Sequence, residues 1–476
     1  MEHLYDKLKQ YAASDYYPYH MPGHKRRIYG EMPEQVMQMD ITEIEGFDNL
    51  HQAEEILLTL QQKAAALYGS EESFYLVNGS TSGILSAVSA AVPEGGHILM
   101  ARNCHKSAYH AAYLRNLTIS YLYPEVLGEY DINGVITPSQ VYDALKSQPN
   151  IKAVLLVSPT YEGRIASIGE IAKVVHDRGI PLIVDEAHGA HLGWREELGK
   201  NSCRSGADLV IHSLHKTLPS MTQTALLHVN GSLIDRDRLK RFLHIYQSSS
   251  PSYVLMASID NALTIMEKSG DTLFEQFERQ YESMLEQLSA CRCLKFLPWQ
   301  RGEQDIGKLV ISTKKFGLSG QTLYDILLEK YHLQLEMAAG TYCLAMFTVS
   351  DGEEAYRRMT DALLDIDGQM QDGSLTPDLP KTDSAVIKGN DSAESAAIPL
   401  SKAWDMPGES IPLQEAVGKA VGEFVNLYPP GIPLLVPGEV LTGEKCDQIL
   451  AYEKQHLKVQ GVETVDGITH IKIIRV

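Results

Sequence analysis

Seven short apolar, β-branched runs alternate with helical patterns between residues 74 and 230, and no other feature constrains the fold as strongly. The runs are Phe74–Val77, His97–Met100, Ile119–Leu122, Ala153–Val157, Pro181–Val184, Asp208–His212 and Ala225–Val229. Helical patterns lie between them near 81–92, 105–115, 138–147 and 167–178. A strand without polar alternation must be covered on both faces, and an intervening helix is the crossover that lets successive strands run parallel. The pattern therefore predicts an α/β fold built on a mainly parallel sheet. Ligands in such sheets sit beyond the carboxyl ends of the strands, so the residues closing each run are the ones to inspect.

The rest of the chain is arranged around this block. Residues 1–50 read as an arm with a turn at Pro22-Gly23, and 51–270 as the large domain. A long helical pattern near 256–290 leads out of it. Leu309–Thr313 and Tyr342–Val349 read as strands of a small α+β domain over 271–367. Residues 368–403 contain no Phe, Tyr or Trp and are rich in Ser, Asp, Pro, Gly and Lys. Such a stretch buries too little to offset its ordering entropy, so it reads as a linker or exposed excursion. A C-terminal domain follows over 404–476, with a helical run expected from Pro412 to Leu427.

Composition excludes several functions. A net charge of −19 provides no basic field to gather phosphates, which argues against a nucleic-acid partner. No apolar run approaches the ~18 residues of a membrane span, and Met1–Lys25 lacks the apolar core of a signal peptide. The six cysteines are scattered, without zinc or disulfide spacing, which suits a reducing cytoplasm.

Four segments fall where strands should end. Asn78-Gly79-Ser80-Thr81-Ser82-Gly83 precedes a helix; free N–H groups and hydroxyls there form an anion cradle, although a plain helix cap has the same composition. Arg102-Asn103-Cys104-His105-Lys106-Ser107 puts a histidine at a helix start, where it either caps the helix or stacks on a flat ring. Val184-Asp185-Glu186-Ala187-His188 puts a carboxylate at the mouth of the sheet, with no third ligand cluster to make it a metal site. Ser213-Leu214-His215-Lys216-Thr217 sets a lysine directly after an apolar strand, where burial and nearby positive charge favour the neutral amine that a Schiff base needs. Each segment alone is ambiguous. In this order they supply what pyridoxal 5′-phosphate (PLP) requires: a phosphate cup, a ring-stacking partner, a carboxylate for the pyridine nitrogen and a lysine for the aldehyde.

With these residues the chain resembles the Orn/Lys/Arg decarboxylase family of fold-type-I, aspartate-aminotransferase-like PLP enzymes, in its short bacterial form. The resemblance rests on Met21-Pro22-Gly23-His24-Lys25, Asp40-Ile41-Thr42-Glu43 through Leu50-His51, the four segments above, and Pro159-Thr160-Tyr161-Glu162-Gly163. Ser248-Ser249-Ser250-Pro251, Tyr428-Pro429-Pro430-Gly431-Ile432-Pro433 and Pro437-Gly438-Glu439 complete it. It implies that Lys216 bonds the cofactor aldehyde, Asp185 pairs with the pyridine nitrogen, His105 stacks on the ring and His188 sits beside it. Ser80, Thr81, Ser82, Ser213 and His215 would hold the phosphate, and Ser249 would reach the phosphate of a neighbouring subunit in a homodimer or larger homo-oligomer. Only twenty residues precede Met21, so the receiver-like domain of the larger family members is not expected.

The implied reaction is α-decarboxylation of arginine, lysine or ornithine, with His215 or Lys216 returning a proton to the substrate carbon. A transaminase or carbon–carbon lyase on the same scaffold is the alternative enzyme, because fold and cofactor do not fix the reaction. A silent homologue with a regulatory role would be expected to lack Lys216 or Asp185, and both are present. Glu439, in a proline-stiffened block, has two readings: a partner for the distal cation of the substrate, or a turn residue capping the helix near Thr442.

Overall fold

The computed structural model describes residues 2–14, 22, 25, 34–379, 397–428 and 431–475. Met21, Gly23, His24, Pro429 and Pro430 of the motifs above lie outside the described residues, as does 380–396 of the low-complexity segment. Strands β1 Glu72–Leu76, β2 His97–Ala101, β3 Thr118–Leu122, β4 Val126–Leu127, β5 Ile132–Asn133, β6 Ile151–Val157, β7 Leu182–Asp185, β8 Leu209–Ser213 and β9 Ala225–Val229 come first along the chain. They are followed by β10 Lys295–Phe296, β11 Lys308–Ser312, β12 Met337–Ala338, β13 Tyr342–Met346, β14 Gly408–Pro412, β15 Val425–Leu427, β16 Pro433–Leu435, β17 Val459–Gln460, β18 Val462–Val465 and β19 Ile468–Ile474.

The chain divides into two compact units, one of Met1–Pro93, Lys152–Ser158 and Ser167–Glu275, the other of Glu94–Ile151, Pro159–Ala166 and Gln276–Val476. In the first unit the strand order is β1–β9–β8–β7–β6. β6, β7 and β8 run parallel, and β9 and β1 add antiparallel. Every residue of β7, β8 and β9 is buried, which is why these runs are apolar without alternation. The helix Ile168–His176 supplies the crossover from β6 to β7 and turns Ile171, Ala172 and Val175 inward, one apolar stripe at helical spacing.

In the second unit β2 and β3 pair in parallel, and β10–β11–β13–β12 form an antiparallel sheet. The strands β14–β19–β18 and β16–β15–β17 make two further small antiparallel sheets. Leu413, Val421, Val425, Leu435, Leu441 and Ile471 close a common core there.

Two expectations are corrected. The run Pro412–Leu427 is not one helix: only Leu413–Ala416 makes a 3-10 turn, and β15 takes the end of the segment. Gly418 at φ +84 breaks the helical path, and Val421 and Val425 point into the core from extended backbone. The helix Glu353–Asp372 also runs through Gly368, because Ile366 and Met370 still have a core to bury against. Among the described residues no helix is long and apolar enough to cross a membrane.

Candidate active site

Within the first unit, β7 ends on Asp185 and β8 on Ser213, side by side in a parallel pair. Asp185 is buried, and one N–H, from Ala187 at 3.2 Å, meets its carboxylate. Burial raises its carboxyl pKa above the ordinary range, against the pull of the Lys216 charge and that N–H. The short helix Leu214–Thr217 starts as β8 ends and brings Lys216 Nζ to 3.1 Å from His188 Nε2, in the turn after β7. Asp185 and His188 therefore meet Lys216 across two strand ends rather than along one helical face.

Hydroxyls and amides of the same unit are only partly used. The helix Gly79–Ala91 has no side-chain cap, and Gly79 takes φ +72 to start it. Asn78 Oδ1 instead accepts the N–H of Ser248 at 3.1 Å, next to exposed Ser249. Thr81 is exposed on the first turn, while Ser82 Oγ donates to the Gly79 carbonyl at 2.8 Å. Ser213 Oγ and Thr217 Oγ1 are buried with no hydrogen-bond partner among the described residues. Buried hydroxyls without partners are costly, so two flanking one lysine mark a place that a polar ligand completes. His215 Nδ1 donates to the Thr224 carbonyl at 2.9 Å, which leaves Nε2 as the acceptor; burial lowers the ring pKa, so the imidazole is neutral. An uncapped helix start, two unpaired hydroxyls, a buried carboxylate and a lysine fit the phosphate, ring nitrogen and aldehyde of PLP.

His105 belongs to the second unit, where it caps the helix Lys106–Leu114. Its Nδ1 accepts the Ser107 N–H at 3.2 Å, so the ring proton is on Nε2. Gly431 packs its backbone on this ring; a Cβ there would stand 3.4 Å from it.

The Orn/Lys/Arg decarboxylase major domain matches residues 2–352, and the C-terminal domain of the same family matches 394–470. An arginine decarboxylase of Bacillus subtilis is 31% identical over 99% of this chain and 97% of its own length. A lysine decarboxylase of Francisella novicida superposes with a TM-score of 0.85 at 18% identity, over 99% of this chain and 81% of that one. A serine palmitoyltransferase of Sphingomonas wittichii matches 66% of this chain and 76% of its own, with a TM-score of 0.53 at 16% identity. The chain belongs to the Orn/Lys/Arg decarboxylase family. It has the aspartate-aminotransferase-like fold of PLP enzymes, it decarboxylates a basic amino acid, and its cofactor is PLP.

In this decarboxylase Glu439 is engaged within its own unit. It is 2% exposed, and its Oε2 accepts from Arg102 Nη2 at 3.1 Å and from the Val436 N–H at 3.0 Å, with Lys445 Nζ at 3.7 Å. The helix Gly443–Lys454 is capped by Thr442 itself. Sequence alone did not show that two cations of the same unit would claim this carboxylate before any substrate.

Sequence reasoning also missed a buried polar chain in the first unit. Glu186 accepts from Ser202 N at 3.0 Å and Ser202 Oγ at 2.7 Å, and lies 2.7 Å from His212 Nε2. His212 Nδ1 lies 3.0 Å from His228 Nε2, and His228 Nδ1 lies 2.6 Å from Ser73 Oγ. Tyr68 covers both imidazoles at 4.7 Å. Burial lowers the His212 pKa to about 3 and drives His228 well below its ordinary value, and it raises Glu186 to about 8. The available signal was one histidine inside each of two apolar strands, Leu209–Ser213 and Ala225–Val229.

Proposed function

We propose that this decarboxylase acts on arginine in preference to lysine or ornithine, at a site centred on Lys216. The observation that carries the site is the convergence of Lys216, His188 and buried Asp185 on two adjacent strand ends. Arginine is favoured because the 31% identical relative is named an arginine decarboxylase, whereas the lysine decarboxylase named above is 18% identical.

Bound PLP supplies an electron sink for the pair left behind when the carboxylate departs. In this reading Asp185 holds the proton on the pyridine nitrogen, an anion kept where positive charge must persist. His188, within hydrogen-bond reach of Lys216 Nζ, accepts or returns that amine's proton. His215 is neutral with a lone pair on Nε2, so it would first take up a proton there and then deliver that proton to the substrate carbon. The start of the Gly79–Ala91 helix, with Ser80, Thr81 and Ser82, and the hydroxyl of Ser213 take the phosphate. The stacking role of His105 and the reach of Ser249 to a neighbour's phosphate in a homodimer rest on the family resemblance. The protein works in the cytoplasm, and its amine product enters polyamine synthesis.

Incubating PLP-loaded protein with arginine, lysine and ornithine separately, and identifying products by mass, tests this. Agmatine is expected as the fastest product. A faster diamine would overturn the substrate preference, and a keto acid with no amine would overturn decarboxylation here.

A further inference from the structure

The second unit holds a cavity of about 190 Å³, an order of magnitude above the ~10–15 Å³ that admits one water. Its wall is mostly apolar, including Met337, Leu427, Ile432 and Pro433. The polar groups on the wall differ in how far they are already used. Arg102 donates through Nη1 to the Tyr109 hydroxyl and the Pro433 carbonyl, and through Nη2 to the Leu434 carbonyl and Glu439. Lys445 is held by Glu439, and Asp131 by Lys314 at 2.7 Å and the Thr341 hydroxyl at 2.7 Å.

Two side chains of the wall each have a buried oxygen without a partner among the described residues. Asn103 and Glu162 are 8% and 4% exposed, and both line the cavity. Asn103 Oδ1 has no hydrogen-bond partner among the described residues. Glu162 Oε1 takes the Tyr342 hydroxyl at 2.9 Å; burial raises its carboxyl pKa, against the pull of its own N–H and the Tyr342 and Thr160 side chains, and its buried Oε2 has no hydrogen-bond partner among the described residues. Lys308 is near enough to act on the Glu162 charge, but its ammonium lies over the Tyr161 ring, 5.6 Å from the centroid. The fully buried polar side-chain atoms of the wall that lack a partner are therefore both acceptors, Asn103 Oδ1 and Glu162 Oε2, set beside apolar surface. Buried acceptors of this kind are costly when unpaired and are satisfied by a donor.

We infer that this cavity binds the ammonium or guanidinium end of an apolar-stemmed amine, with Asn103 and Glu162 as its acceptors. Two sources carry that chemistry: the distal end of the basic amino-acid substrate, or a free amine such as the product. Only the choice between them rests on the decarboxylase reading; the binding itself needs no turnover.

The probe is n-butylguanidinium, which has a cationic head and an apolar stem but no primary amine to react at Lys216. Calorimetry on the full-length holoprotein should show one site per chain. Neutral n-butylurea should bind at least tenfold more weakly. Asn103→Leu combined with Glu162→Gln should weaken the probe at least tenfold. Asn103→Asp adds a charge at nearly constant size and should tighten it severalfold, a gain that misfolding cannot mimic. Competitive inhibition against the amino acid assigns the cavity to the substrate's distal end, and non-competitive inhibition assigns it to a free amine. Equal binding of the neutral isostere, no tightening in Asn103→Asp, or no heat of binding overturns the inference, whether or not the protein decarboxylates anything.

Discussion

Asp185 and Glu186 are neighbours in the chain and both are buried, yet they are held in opposite ways. Asp185 receives one backbone N–H, and two hydroxyls at and just after the next strand end, Ser213 Oγ and Thr217 Oγ1, have no partner among the described residues. Glu186 is saturated by Ser202 and His212, and the chain continues through His228 to Ser73. A buried polar group costs free energy unless it is paired. The unfilled set therefore marks where something from outside the chain belongs, and the filled set is architecture. On the proposed function, the difference separates groups that serve the chemistry from groups that hold the strands carrying them.

The largest effect should come from the unfilled side. Asp185→Asn removes the charge proposed to keep the ring nitrogen protonated, and kcat/KM should fall by about 3–4 kcal/mol equivalent. The urea midpoint should move little, since the carboxylate contributes one hydrogen bond and is desolvated. Near-normal turnover would make Asp185 a second structural carboxylate and erase the contrast.

Glu186→Ala should show the reverse pattern. It leaves Ser202 N and Ser202 Oγ buried without their acceptor and His212 Nε2 without its partner, a loss of about 3 kcal/mol of stability by the cost of unpaired buried polar groups. Turnover per folded molecule should change much less than in Asp185→Asn. A variant as stable as the parent, but inactive, would move Glu186 to the chemical side of the comparison.

Ser213→Ala gives a smaller, sharper test, because Oγ has no partner among the described residues. Stability without cofactor should hold or rise slightly. PLP affinity should drop by about 1.5–3 kcal/mol, the range of a hydrogen bond to a charged group. Unchanged PLP affinity, measured by titrating cofactor-free protein, would take Ser213 out of the phosphate cup.

How much of this was legible in the sequence follows from the same contrast. The strands were readable because β7, β8 and β9 are buried on both faces, and unbroken apolar runs are the direct result. Asp185 and Lys216 were readable because a polar residue closing such a run has few structural reasons to be there. His212 and His228 were not, since a histidine within a strand gives no sign of which neighbour will pair with it. The ion pairs of Glu439 were not legible for a related reason. Its partners Arg102 and Lys445 come from separate segments of the chain, so only the folded unit shows that its charge is already taken. The C-terminal run from Pro412 failed because Val421 and Val425 suit a helix face and a strand equally, and Gly418 decides between them only through its positive φ.

The smallest effect is a pH dependence set by the filled chain. His212 and His228 are neutral in the fold because burial lowers their pKa, to about 3 for His212 and well below 6.5 for His228. The unfolded chain takes up these protons below pH ~6.5 and the folded chain does not, so their contribution is present above 6.5 and is lost as pH falls. Glu186, raised to about 8, works the other way: its contribution is present below 4.5 and is lost as pH rises towards 8. Comparing the parent with His228→Gln leaves Glu186 common to both and isolates one imidazole. The stability advantage of the parent over this variant should be greatest at pH 7.5. It should shrink by about 1.4 kcal/mol for each pH unit below 6.5. Urea midpoints at pH 7.5, 6.5 and 5.5 measure it. An advantage that stays constant across that range would mean that His228 takes up its proton in the fold over the same pH range as in the unfolded chain, and that burial does not hold it neutral.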